Sequence, residues 1–107
     1  MNVAYYTTAS GRQPAQDFVD KLDNQSYAAQ IRADIHEVAQ RQRKAAASIK
    51  PVTAYSPMWE IRTGNYRTFF YFAAAEDMVV VLHTCKKEDQ KQGIKLAYKR
   101  MMELTEA

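Results

Sequence analysis

The stretch from Trp59 to Phe72, WEIRTGNYRTFFYF, decides the fold. Two runs of β-branched and aromatic residues flank Gly64-Asn65, the signature of a two-residue hairpin loop in a type II′ or I′ turn. That loop sets a register: Thr63 opposite Tyr66, Arg62 opposite Arg67, Ile61 opposite Thr68, Glu60 opposite Phe69, and Trp59 opposite Phe70. Side chains alternate across a strand, so Trp59, Ile61, Thr68, Phe70 and Phe72 share one face, suited to packing under helices. Glu60, Arg62, Arg67, Phe69 and Tyr71 share the other. A three-residue loop, Thr63-Gly64-Asn65, would instead send the two arginines to opposite faces.

Like charges facing each other across a strand pair cost ~0.2–1 kcal/mol. Stability alone gives no reason to place Arg62 against Arg67. An anion between them reverses the sign, because guanidinium groups grip phosphate through bidentate, charge-assisted hydrogen bonds. The competing explanation is that Glu60 neutralises one arginine diagonally and both are solvated.

Outward from the hairpin, MVVVLHTC (Met78–Cys85) is a continuous β-branched run, long enough for a central strand. It carries His83 near its end. Gly93 marks a break before a last helix, in which Ile94, Ala97, Tyr98, Met101 and Leu104 form a stripe that docks on the sheet. Before the hairpin, AAASIKPVTAYSP reads as a connection interrupted by Pro51 and Pro57, with room for a short strand between them.

Further back, Pro14 suits the first turn of a helix, and Ala15, Phe18, Val19 and Leu22 give helical spacing over Pro14–Leu22. Asn24 is the N-cap of a second, longer helix with the stripe Ala28, Ile31, Ile35 and Val38. The opening NVAYYTTASGR is a short strand or extended arm. The order is two helices, a three-stranded antiparallel meander and a terminal helix, with the arm available as a fourth strand. The class is α+β.

A chain of 107 residues is one domain, and 47% hydrophobic with 25% charged residues is the balance of a folded protein. The net charge of +3 is too small to establish a polyanion partner, so its distribution matters more. No acidic residue lies between Glu37 and Glu60, where Arg41, Arg43, Lys44 and Lys50 fall; the helix dipole accounts equally well for the cluster at Arg41–Lys44. A second basic group, Lys86, Lys87 and Lys91, follows the last strand and is interrupted by Glu88 and Asp89.

A single cysteine, Cys85, excludes an internal disulfide, and with two histidines there is no zinc-ligand spacing. There is no secretory leader pattern and no membrane-length apolar run. The expectation is a cytoplasmic protein with no metal or cofactor. His36, mid-helix among polar residues, reads as solvated surface.

The runs YYTTASGRQPAQDFVDKL, MWEIRTGNYRTFFYF and VVVLHTCKKEDQK, with a terminal LAYKRMMEL, occur in the order found in a known group. Across nearly its full length the chain resembles the phage-derived, HigB/RelE-like toxin family of bacterial toxin–antitoxin systems. That family's landmarks are an aromatic-Glu-Leu-Arg strand, a Tyr-Arg-x-Phe-Tyr strand and a Leu-His-x-x-Lys-Lys segment before a basic helix. The resemblance implies a RelE-like fold with helices on one sheet face and an mRNA-cutting site on the other. It also implies an antitoxin partner, often a helix-turn-helix protein, through which alone DNA is contacted, and mRNA as target, on the ribosome or free.

Carried over by motif, Arg62 matches the first landmark, Arg67 and Tyr71 the second, and His83, Lys86 and Lys87 the third. The chain departs from the pattern at Thr84-Cys85, where Gly-Phe is common, and at KEDQKQG, which shortens the approach to the last helix. Metal-free RNA cleavage needs a base for the 2′-OH, cations for charge on phosphorus and an acid for the leaving oxygen. Arginine is too basic to act as a base, which assigns Arg62 and Arg67 to phosphate charge. His83 is the natural acid or base, with Tyr71 or Lys86 as partner. Phe69 offers a stacking surface, and Lys50, Lys87 and Lys91 are the expected RNA-binding cations. The alternative is a degenerate toxin fold that binds its antitoxin and represses transcription without catalysis. A metal-dependent nuclease is disfavoured by the missing carboxylate cluster.

Overall fold

A computed structural model of the chain describes residues 1–45 and 48–106. The hairpin forms from β3 (Trp59–Thr63) and β4 (Tyr66–Ala73), each residue opposite its expected partner, Arg62 against Arg67 included. Gly64 has φ +55 while Asn65 stays at negative φ, the pattern of a type II′ loop. A Cβ at Gly64 would stand 2.7 Å from Cε1 of Tyr27, so glycine is required both by the backbone and by the ring lying against it.

Three further strands complete a five-stranded sheet of order β1-β5-β4-β3-β2. β5 (Met78–Lys86) continues the meander antiparallel to β4, as expected. The N-terminal arm supplies β1 (Asn2–Tyr5), which runs parallel to β5. β2 (Ser48–Pro51) pairs antiparallel with β3 and ends at Pro51, instead of lying between Pro51 and Pro57 as the sequence suggested. Pro51 closes that strand, and the chain coils into a 3₁₀ turn at Thr53–Tyr55. Ala46 and Ala47, in the expected connection, lie outside the described residues.

On one face pack α1 (Pro14–Asp20) and α2 (Gln25–Arg41). α1 ends two residues earlier than its periodicity suggested. Asn24 caps α2, its side chain accepting from the Tyr27 amide at 3.2 Å. The stripe Ala28, Ile31, Ile35 and Val38 is buried against Ile61, Phe70, Val79 and Val81, and each large side chain so removed from water contributes about 1.5–3 kcal/mol. One polar tie crosses this layer: Asp34 accepts from Thr63 Oγ1 at 2.6 Å and from Gln30 Nε2 at 2.8 Å.

The opposite face is not open. α3 (Gln90–Thr105) lies across it and closes a second apolar cluster with Met58, Phe69, Val80, Leu82 and Cys85, which corrects the expectation of helices on one side only. Gly93 does not precede this helix but sits in its first turns, where a Cβ would meet Cys85 Sγ at 2.7 Å and His83 Cδ2 at 3.1 Å. Glycine lets the helix approach the strands. Ala97 and Met101 of the expected stripe are buried, whereas Leu104 is exposed.

A bulge decides what lies beneath α3. Phe69 pairs with His83 but Phe70 pairs with Val81, leaving Leu82 unpaired. Val79 and Val81 face α1 and α2. Without the extra residue, His83 and Cys85 would follow them; with it, both turn towards α3.

Candidate functional site

The two arginines, opposite in register, leave the strands on different errands. Arg67 is only 6% exposed. Its Nη1 donates to the Gly64 and Tyr66 carbonyls at 2.8 and 2.9 Å, binding the guanidinium to the hairpin turn. Its buried Nε has no partner among the described residues. Arg62 remains at the surface, with 42% of its side chain exposed, and its Nε donates to Glu60 Oε1 at 3.0 Å. Glu60 therefore pairs with the arginine on its own strand rather than diagonally, and only one of the two arginines is solvated.

Lys50 is the cross-strand partner of Glu60 and shares its face, so Lys50, Glu60 and Arg62 form one cluster beside the start of α3. Gln90, the first residue of that helix, donates to Glu60 Oε2 at 2.8 Å. Lys91, next along, is exposed. A cleft of about 300 Å³ opens here, lined by Lys50, Val52, Tyr55, Glu60, Gln90 and Ile94 among others.

Lys86 and Lys87 lie on the other side of the turn. Lys86 pairs with Tyr66 at the end of β5, and the Lys87 amide donates to the Asn65 carbonyl at 2.7 Å, fastening the strand end to the hairpin loop. With Asn65, Tyr66 and Glu88 they line an open cleft of about 560 Å³. Exposed cations thus stand on both sides of the hairpin: Arg62 and Lys50 on the β2 side, Lys86 and Lys87 at the end of β5, with Lys91 exposed at the start of α3.

The remaining expected residues are covered. Phe69 is fully buried and its ring stacks on His83, 6.5 Å between centroids and 6° between planes. It has no free face for a base, which corrects its expected role as a stacking platform. His83 joins Phe69 by register and lies under Gly93 of α3, with Arg100 Nη1 3.3 Å from Nδ1. Burial, and then Arg100, hold its pKa down at about 4, so the imidazole is neutral at pH 7. Tyr71 is half-buried in the same layer, its hydroxyl pKa raised by burial and by Glu76. Cys85, also beneath α3, has its thiol pushed up to about 11 by burial and by Asp89.

Sequence reasoning passed over Glu60 as more than a neutraliser, and missed Gln90 and Arg100 altogether. Alternation on the strand places Glu60 beside Arg62, so that pair was there to be found. Gln90 needed the position of α3. Arg100 bonds the Leu82 carbonyl at 2.8 Å and stacks over Tyr6 at 4.9 Å, the second contact spanning most of the chain. His36 is exposed, as expected. Among the described residues no cluster of three His, Cys, Asp or Glu side chains could hold a metal ion, and no helix is long and apolar enough to cross a membrane.

The profile of a family described as phage-derived protein Gp49-like (DUF891) matches residues 17–104. No curated protein matches significantly. Among solved structures, a chain of the RelB–RelE antitoxin–toxin complex from Methanococcus jannaschii superposes with a TM-score of 0.60 at 13% identity, covering 86% of this chain and 96% of that one. At that identity the likeness is one of fold, and the fold is RelE-like.

Proposed function

As the chain belongs to the Gp49-like family of phage-derived proteins, we propose that it is the RNA-directed toxin of an antitoxin-controlled pair, of HigB-like kind, acting in the cytoplasm. Its RelE-like fold, shared with a protein solved in complex with an antitoxin, supports the partner. The observation that carries the RNA target is the set of exposed cations along the hairpin, Arg62 and Lys50 on the β2 side and Lys86 and Lys87 at the end of β5, with Lys91 exposed at the start of α3. Such a rim tracks a single strand's phosphates. The antitoxin is a small helix-turn-helix protein, and DNA is contacted only through it.

The reaction is cleavage of mRNA, bound on the ribosome, by attack of a 2′-OH on its adjacent phosphate. The 2′-OH requirement discriminates RNA from DNA. A 2′,3′-cyclic phosphate and a 5′-OH result. Arg62 carries charge developing on phosphorus, and Lys86 and Lys87 hold flanking phosphates. Arg67 acts through the turn it ties. With α3, and the Arg100 guanidinium it carries, moved off His83, the neutral imidazole takes the 2′-OH proton and the Tyr71 hydroxyl gives its proton to the leaving 5′-oxygen.

The test is purified protein with single-stranded RNA, with and without ribosomes, comparing wild type with Arg62→Ala and with Lys86→Ala plus Lys87→Ala. Arg62 is the cleaner arginine to remove, because Arg67→Ala also unfastens the hairpin loop. Cuts with 5′-OH ends that persist in EDTA and vanish in Arg62→Ala are expected. Intact transcripts on and off the ribosome, together with normal growth on induction of soluble protein, refute the nuclease. The cover that α3 lays over Phe69 and His83 favours a second reading, a toxin fold that binds its antitoxin and cuts nothing. Tight antitoxin binding, indifferent to Arg62→Ala and without cleavage, identifies it.

A further inference from the structure

Glu60 is a carboxylate at 1% exposure, and burying one costs several kcal/mol unless it is paired. Its pairing is unusual in form. Both oxygens are engaged, but Arg62 meets Glu60 through Nε alone, at 3.0 Å, and makes no other hydrogen bond among the described residues. A fork-to-fork pair would have consumed the guanidinium's terminal amino groups. Here they make no hydrogen bond among the described residues, on a side chain 42% exposed. Behind the carboxylate stands Phe69, its cross-strand partner, fully buried; beside it stand Lys50 and the first turn of α3, held by Gln90 at 2.8 Å. Glu60 is buried and bonded at both oxygens, so Arg62 is held at its root through Nε and has no further bond at its tip among the described residues.

We propose that Glu60 is the positioning residue for RNA recognition, fixing Arg62 by Nε so that its two terminal amino groups are presented as a ready fork for one phosphate. The inference rests on the RNA reading above and adds to it the residue that arms the site. An unrestrained arginine loses rotamer freedom when it binds, and ordering it beforehand removes that cost. Charge works the other way, since a carboxylate beside Arg62 repels phosphate. Positioning and electrostatics therefore predict opposite signs for the same substitution.

The experiment measures the affinity of a fluorescent single-stranded RNA, and its cleavage rate, for wild type, Glu60→Gln, Arg62→Ala and the double variant, with thermal unfolding of each as a check on folding. Glu60→Gln is expected to weaken RNA binding about three- to tenfold despite adding positive charge. It should have no effect on binding in the Arg62→Ala background. Tighter binding in Glu60→Gln, or equal losses in both backgrounds, overturns the positioning role in favour of a counter-ion or a structural one. Should Glu60→Gln not fold, Arg62→Lys keeps the charge and loses the fork. It should bind RNA as poorly as Arg62→Ala, and wild-type binding by Arg62→Lys overturns the inference. Wild-type protein that binds RNA without cutting it removes the nuclease reading alone, and the binding cycle still decides. Absence of RNA binding overturns both.

Discussion

Gly93→Ala places a methyl group where the docking of α3 is closest, and the outcome follows from two opposed terms. The new Cβ would lie 2.7 Å from Cys85 Sγ, 3.1 Å from His83 Cδ2 and 3.2 Å from Phe69 Cε2, against ordinary carbon contacts of about 3.5–4.0 Å. Cys85 and Phe69 are buried strand residues with little room to yield, and overpacking of this kind costs about 1–3 kcal/mol. Against it, alanine gains about 1 kcal/mol over glycine inside a helix. The net is a loss of about 1 kcal/mol, a fall of roughly 4 °C in Tm for a chain this size.

Urea unfolding followed by circular dichroism measures the loss, and a thiol reagent reports whether α3 has loosened, because Cys85 is the free cysteine beneath it. Slow reaction in wild type and faster reaction in Gly93→Ala are expected. In a Cys85→Ala background the 2.7 Å contact is gone, so Gly93→Ala should cost less or turn stabilising. A stabilised Gly93→Ala in the wild-type background refutes the close approach, because helix propensity would then be the whole effect.

Gly64→Ala forces a non-glycine residue to φ +55 and drives its Cβ to 2.7 Å from the Tyr27 ring, so it should lose about 1–3 kcal/mol, with Tyr27→Ala recovering part in an unfolding titration. His83 titrates at about 4 in the fold and at 6.5 when free, so the unfolded chain binds the extra proton between those values. Stability should therefore be complete above pH 6.5 and decline as pH falls towards 4. Comparing wild type with His83→Asn across that window isolates the histidine from carboxylates titrating nearby, Asp89 included, and parallel curves would refute its burial as neutral imidazole. Asp34→Ala leaves Thr63 without its acceptor in the buried layer between α2 and β3 and should cost about 1–3 kcal/mol by the same titration.

The hairpin was legible from sequence because its causes are local. Gly64-Asn65 favours a two-residue loop over the three-residue alternative, that loop sets which residue faces which, and the alternation then assigns Ile61, Thr68 and Phe70 to the α1/α2 side. The Asn24 cap and the stripe from Ala28 to Val38 were readable for the same reason. The identity of the second face was not. WEIRT and YRTFFYF show that Glu60, Arg62, Arg67 and Phe69 share a side, but nothing nearby in the chain says whether water or a helix covers it.

That choice rests on contacts across long stretches of chain. Gly93 meets strand residues through a missing side chain, which sequence reads as a break, not as a contact. The unpaired Leu82 turns His83 and Cys85 towards α3, because one inserted residue reverses the alternation after it, and it leaves no mark in the run MVVVLHTC. Sequence by itself thus determined the pairing of β3 with β4, the helix stripes and the residues on each face of the hairpin. Only the tertiary structure decided that Phe69 and His83 are covered, that Arg67 is spent on its own turn, and that Arg62, rooted on Glu60, is the arginine left facing solvent. The reason is that pairing is set by the turn, while exposure is set by what packs on top.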